Sequence, residues 1–144
     1  MRELKIKGKS CIIGEIPEGC KLCLKGAKMV LFITGRCNTQ CYYCPISQER
    51  RGKRITYANE RRVTNINEIL EEAEMMNAKG TGITGGEPLL EIKDTTEIIR
   101  RLKSRFGKRH HIHLYTNGIL LTEKTANRLK EAGLDEIRIH PTRE

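Results

Sequence analysis

Cys37, Cys41 and Cys44 are spaced Cys-x3-Cys-x2-Cys, within Gly35-Arg36-Cys37-Asn38-Thr39-Gln40-Cys41-Tyr42-Tyr43-Cys44-Pro45. A short loop of that spacing can fold three thiolates around one inorganic cluster. Thiolates are the usual protein ligands of iron–sulfur clusters. A cubane has four irons, so three protein ligands leave one iron open to a small molecule. That chemistry points to catalysis rather than electron storage. A zinc loop or three unrelated thiols are the competing readings, although zinc loops usually repeat Cys-x2-Cys in two separated pairs. A second stretch, Gly85-Gly86-Glu87-Pro88, joins two glycines, a carboxylate and a rigid exit. Glycines let backbone approach a ligand closely and turn sharply. Cys11, Cys20 and Cys23 form a third set, a candidate second metal or cluster site. It has no obvious fourth protein ligand, and ordinary reduced thiols are the alternative there.

These residues need elements to position them. Met29-Val30-Leu31-Phe32-Ile33-Thr34 is an apolar, β-branched run that reads as a buried strand. The cysteine loop leaves its C-terminal end, where parallel α/β sheets bind ligands. Residues 46 to 64 read as a basic loop. Ile66, Ile69, Leu70, Ala73 and Met76 form the apolar face of a helix, with Asn65 and Glu68 as a capping box and Gly80 as its stop. Thr81-Gly82-Ile83-Thr84 is a second strand. Asp94-Thr95-Thr96-Glu97 reads as the cap of a second helix, with Ile98, Ile99, Leu102 and Phe106 inward and Gly107 closing it. Residues 111 to 116 alternate polar with apolar as a third strand, and Asn117-Gly118 turns the chain. Thr122 caps a third helix, with Ala126, Leu129 and Ala132 inward, and Gly133 ends it. Residues 135 to 140 form a fourth strand. The alternation predicts an α/β fold of parallel strands with right-handed crossovers. Ile112, Leu114, Ile137 and Ile139 should face the helices. His111, His113, Tyr115, Arg138 and His140 should point inward, where a polar lumen implies a ligand or water.

Taken together, the cysteine loop and the Gly-Gly-Glu-Pro turn resemble the radical S-adenosylmethionine (SAM) superfamily. Tyr43 fills the aromatic position of its Cys-x3-Cys-x-aromatic-Cys signature. The resemblance covers residues 29 to 140 and implies a partial (β/α) barrel of about four βα units. It implies that Cys37, Cys41 and Cys44 hold a [4Fe–4S] cluster whose open iron binds SAM. Reductive cleavage of SAM to a 5′-deoxyadenosyl radical would then abstract hydrogen from a substrate. Tyr43, Gly85, Gly86, Glu87, Pro88, Thr116, Asn117, Gly118 and His140 are the expected cofactor-binding residues. The flanks, Gly19-Cys20-x2-Cys23 and Pro45-Ile46-Ser47-x-Glu49-Arg50-Arg51-Gly52-Lys53, are similar to a group of uncharacterised archaeal proteins related to pyruvate formate-lyase activating enzymes. One departure is plain. The family barrel usually has six strands, and its fifth-strand Gly-x-Ile-x-Gly-x-x-Glu is absent. The expectation is an N-terminal fragment, a short protein completed by a partner, or a degraded product.

The 144 residues suffice for one modest domain, divided here into an irregular cysteine-containing extension, 1–28, and a core, 29–144. Lys and Arg number 27 against 18 Asp and Glu, a net charge of +9. That balance favours anionic partners, nucleic acid or an acidic protein. Expected partners are SAM, an electron donor such as ferredoxin or flavodoxin, an unknown substrate, and a second chain or copy that completes the barrel. With no apolar run long enough to span a bilayer and no signal-peptide pattern, a cytoplasmic location is expected. A non-catalytic metal- and nucleic-acid-binding module is the rival reading, against which the Gly-Gly-Glu-Pro turn argues.

Overall fold

The computed structural model describes residues 4–7 and 10–141. Strands β1 (Leu4–Lys7) and β2 (Ser10–Ile13) pair as a separate antiparallel hairpin. Helix α1 (Glu18–Leu24) follows. The main sheet contains β3 (Lys28–Phe32), β4 (Thr56–Ala58), β5 (Arg61–Val63), β6 (Gly80–Thr84), β7 (His111–Thr116) and β8 (Glu136–Ile139). Its order is β5-β4-β3-β6-β7-β8. The last four in that order run parallel, joined by α2 (Ile66–Met75), α3 (Ile92–Phe106) and α4 (Glu123–Ala132).

One face of the sheet is buried because its strands alternate. Met29, Leu31 and Ile33 with Ile83, Ile112 and Leu114 meet Ile69, Ile99, Leu102 and Leu129 from the helices. Each such side chain contributes about 1.5–3 kcal/mol on burial. The predicted caps of α2 and α4 are present: Asn65 and Glu68 close a reciprocal box, and Thr122 accepts from the Thr125 amide.

Four expectations need correction. Residues 46 to 64 are not all loop, since β4 and β5 extend the sheet antiparallel from β3. The N-terminal extension is more regular than expected, since its described residues include a hairpin, Leu4–Lys7 with Ser10–Ile13, and the helix Glu18–Leu24. Gly80 does not stop α2. The chain turns at Asn77, with φ of 51°, and Gly80 opens β6. Asp94 and its neighbours do not cap α3. A 3-10 turn over Pro88–Glu91 leads straight into it, and Thr95 lies inside the helix, its hydroxyl donating to the Pro88 carbonyl at 3.0 Å. Ile139 also differs from its expected packing, being 56% exposed.

Strands β5 and β8 are edges, so the sheet is not closed. Its concave face is covered in part by α1, which packs against β7, while Val30 there is 52% exposed. Open edges and uncovered parallel sheet favour association. This chain, purified alone, is therefore expected to self-associate or to require a partner for solubility. A monomer mass that persists on dilution in light scattering would overturn that expectation.

Candidate functional site

The cysteine loop runs from β3 to β4 and is closed at its base. The Gly35 amide donates to the Lys53 carbonyl, and the Gly52 amide donates to the Gly35 carbonyl, both at 2.8 Å. A Cβ on Gly35 would fall 1.6 Å from the Arg50 carbonyl oxygen, so only glycine allows this closure. Above it, Cys37, Cys41 and Cys44 are free thiols lining one cavity of about 830 Å³. The Thr39 hydroxyl lies between two of them, 3.2 Å from the Cys37 sulfur and 3.6 Å from that of Cys41. Among the described residues, no three His, Cys, Asp or Glu side chains are drawn closely enough around one point to hold a single metal ion. A four-iron cluster holds its thiolates farther apart than one ion does. Three thiols around one open cavity therefore fit such a group in number and chemistry.

The Gly-Gly-Glu-Pro turn continues the pairing of β3 and β6 past their ends. The Gly86 amide donates to the Thr34 carbonyl at 2.6 Å, and the Glu87 amide to the Arg36 carbonyl at 2.8 Å. A Cβ on Gly86 would sit 2.0 Å from the Arg36 oxygen. The missing side chain thus serves a backbone-to-backbone approach within the protein, in addition to the sharp turn and close ligand approach expected from the sequence. Both Gly85 and Gly86 also line the cavity.

Glu87 is fully buried. Its carboxylate accepts from the Leu89 amide (3.0 Å), the Thr116 hydroxyl (2.8 Å) and the Asn117 amide (2.8 Å). Thus the turn after β6 is tied to the turn after β7. Asn117 continues the link, its side-chain amide donating to Asn38 in the cysteine loop at 2.7 Å. On the far side, the Tyr43 ring meets the edge of His140, with centroids 6.1 Å apart. Of the expected cofactor residues, Tyr43, Gly85, Gly86, Thr116, Asn117 and His140 line the cavity. Glu87, Pro88 and Gly118 do not, and Glu87 acts here by positioning its neighbours. Sequence reasoning did not select Arg51, Thr39 or Tyr115 for this wall. Only the inward face assigned to Tyr115 gave a signal.

Beneath the cavity lies a polar floor. Lys28 meets His111 Nδ1 at 3.0 Å and His113 Nδ1 at 2.5 Å. Arg138 donates to Glu136 at 2.6 Å, to the Tyr115 hydroxyl at 2.7 Å and to the Cys20 sulfur at 3.4 Å. Helix α1 seals this floor, where a Cβ on Gly19 would be 2.8 Å from the His111 ring. Of the inward-facing histidines, His111 and His113 are bonded to Lys28, while His140 lines the cavity. Burial pushes Lys28 down to about 8, and burial with the nearby Lys28 and Arg138 cations pushes His113 down to about 4. Cys20 and Cys23 belong to α1, while the Cys11 side chain lies outside the described residues.

Two outcomes follow from this geometry. Glu87→Ala should leave two buried donors and one part-buried donor without this acceptor and cost roughly 2–5 kcal/mol of stability. Denaturation of that variant with an unchanged midpoint would contradict the positioning role. The second concerns acid. Facing His113 are Lys28, His111, Glu136, Arg138 and the Tyr115 ring. With its folded pKa below the ordinary 6.5, the unfolded chain binds more protons between about 4 and 6.5. The associated stability is complete above 6.5 and is lost as pH falls through 4. His113→Gln should flatten this acid limb in denaturant melts; an identical slope in both proteins would exclude it.

The comparisons agree with this geometry. The family model of the radical SAM superfamily matches residues 31–142. A Methanocaldococcus jannaschii protein named "Putative glycyl-radical enzyme activating enzyme" is 53% identical over 129 residues, covering 90% of this chain and 34% of that protein. A "GTP 3′,8-cyclase" of Lactiplantibacillus plantarum is 41% identical over 112 residues, covering 76% of this chain and 31% of that protein. The chain thus spans about a third of the length of these relatives. In fold it is similar to BtrN, solved in an open conformation, with a TM-score of 0.58 and 23% identity over 80% of this chain and 49% of that one. The superfamily uses a [4Fe–4S] cluster and SAM. With the three-thiol cavity between the ends of β3, β6 and β7, the match over residues 31–142 makes this chain a member of the radical SAM superfamily.

Proposed function

We propose that Cys37, Cys41 and Cys44 ligate a [4Fe–4S] cluster in the cavity and that SAM binds beside it, against Gly85, Gly86, Thr116 and Asn117. One observation carries the reading: three free thiols and both family turns line the same space of about 830 Å³. When bound and reduced, such a cluster held by Cys37, Cys41 and Cys44 would supply the electron for reductive cleavage of SAM, the chemistry that in this superfamily leads to hydrogen abstraction from substrate. The chain's own residues do the holding. Gly35 closes the base of the thiol loop, and Glu87 fixes the Thr116–Asn117 turn. Asn117 ties that turn back to Asn38. The aromatic pair Tyr43 and His140 walls the opposite side.

The substrate reading follows the M. jannaschii relative: hydrogen abstraction from a protein, with ferredoxin or flavodoxin as electron donor. Supporting it, the cavity rim is open, and Tyr42 there is 97% exposed, suited to contact with a macromolecule. The segment that completes the sheet beyond β8, a partner chain or further sequence, would be part of the working enzyme. Cys20, Cys23 and Cys11 remain a proposed second metal set, in which Cys20 already contacts Arg138.

Anaerobic loading with iron and sulfide tests the reading. The protein should take up one oxygen-sensitive [4Fe–4S] cluster whose EPR signal changes on addition of SAM. Changing Cys37, Cys41 and Cys44 together to Ala should remove that chromophore. Unchanged iron and sulfide, or zinc in place of both, would sink the assignment.

A further inference from the structure

Four arginines surround the thiol loop, and three of them have carboxylate partners. Arg36 pairs with Glu91 at 3.0 Å, Arg50 with Glu60 at 3.1 Å, and Arg54 with Asp94 at 2.6 Å. Arg51 differs. Among the described residues it has no ion pair, and its hydrogen bond goes to the Cys44 backbone carbonyl at 3.2 Å. Arg51 also lines the cavity, and among the described residues no Asp or Glu does. Among those residues it is the one side chain on that wall carrying a permanent charge. Lys53, two residues on, is exposed as Arg51 is but does not line the cavity.

We propose that Arg51 is a positioning residue for the cluster, the fixed positive charge that favours the cluster's reduced state. This rests on the cluster assignment given above. The physical argument is short. Three thiolates and a cubane carry net negative charge, and reduction adds one electron to it. A guanidinium held against the backbone of one ligand stabilises the more negative state and raises the reduction potential. Net charge and local hydrogen bonding are the recognised levers on such potentials. Because the other three guanidiniums are offset by carboxylates, their fields at the cavity are largely cancelled. Arg51 is exposed, so solvent screens part of its charge, but the carbonyl contact holds the guanidinium beside the backbone of a proposed ligand.

The test is an EPR-monitored redox titration of the reconstituted protein, without SAM, for wild type, Arg51→Gln, Arg51→Lys and Lys53→Gln. Iron and sulfide content and circular dichroism verify loading and folding. In Arg51→Gln the ratio of reduced to oxidised cluster, at the wild-type midpoint, should fall at least about threefold. Arg51→Lys should restore most of it, since it keeps the charge. Lys53→Gln should change it less, since it removes the same charge outside the cavity. Equal ratios in wild type and Arg51→Gln would overturn the proposal. So would a loss that Arg51→Lys shares in full, which would mark a hydrogen-bonding role without an electrostatic one. An unchanged ratio with weakened SAM binding in Arg51→Gln would overturn it too, and assign the charge to SAM. Should Arg51→Gln fail to load, a drop in the Arg51→Lys ratio as large as threefold would count against the proposal by itself. If wild type loads no cluster at all, the cluster assignment fails first, and iron analysis alone reveals that.

Discussion

A carboxylate with no exposed surface must be surrounded by donors, because burying an unpaired charge costs several kcal/mol. Glu87 meets that demand with Leu89, Thr116 and Asn117. The consequence is geometric. Two turns nearly thirty residues apart in sequence are locked to one another at the same end of the sheet. Through Asn117 and Asn38 the lock extends to the thiol loop. Each partner of Glu87 belongs to the turn after β6 or the turn after β7, so the carboxylate sets how wide the cavity stands between them. The same end of the sheet depends on the Gly86–Arg36 approach, which leaves no space for even one methyl group.

Charge is distributed with a matching logic. The chain is strongly basic, yet the arginines near the thiol loop are mostly cancelled in pairs, with Glu91 serving both Arg36 and Arg54. Surface pairs of this kind contribute little stability. Their effect here is on the field. Among the described residues they leave a cavity wall with no carboxylate and a single guanidinium. The proposed cluster would gain from that arrangement, since every added negative charge would make its reduction harder.

Much of this was legible in the sequence because it is local. The thiol spacing, the capping box at Asn65 and the Thr122 cap are short-range patterns with one physical meaning each. What failed was long-range or ambiguous. The β4–β5 hairpin has only three residues per strand, and it is held by contacts its own sequence does not announce. Tyr57 packs edge-on to Phe32, and Arg50 lies over the Tyr57 ring at 3.9 Å. Asp94-Thr95-Thr96 looks like a cap, but Pro88 nucleates a turn six residues earlier and the helix starts from there. Lys28 and its histidines are more than eighty residues apart, so no spacing rule could join them. The motif singled out Glu87 but did not announce its contacts with Leu89, Thr116 and Asn117, because a motif records that a residue matters and not which atoms it touches.

The polar floor explains how a half-open sheet keeps charged groups on its concave side. A barrel lumen is usually filled by branched apolar residues. Here β6 is bare at Gly80 and Gly82, and His113 lies over the gap at Gly82, within reach of Lys28 on β3. The network then satisfies itself: His111 faces Glu136, Glu136 accepts from Arg138, and Arg138 reaches both Cys20 and Tyr115. Only the last of these contacts touches the cavity wall. The floor is therefore mechanically coupled to the site through one phenol, while α1 shuts the opposite end. A lumen built this way needs no apolar plug, because its polar groups are paired before any ligand arrives.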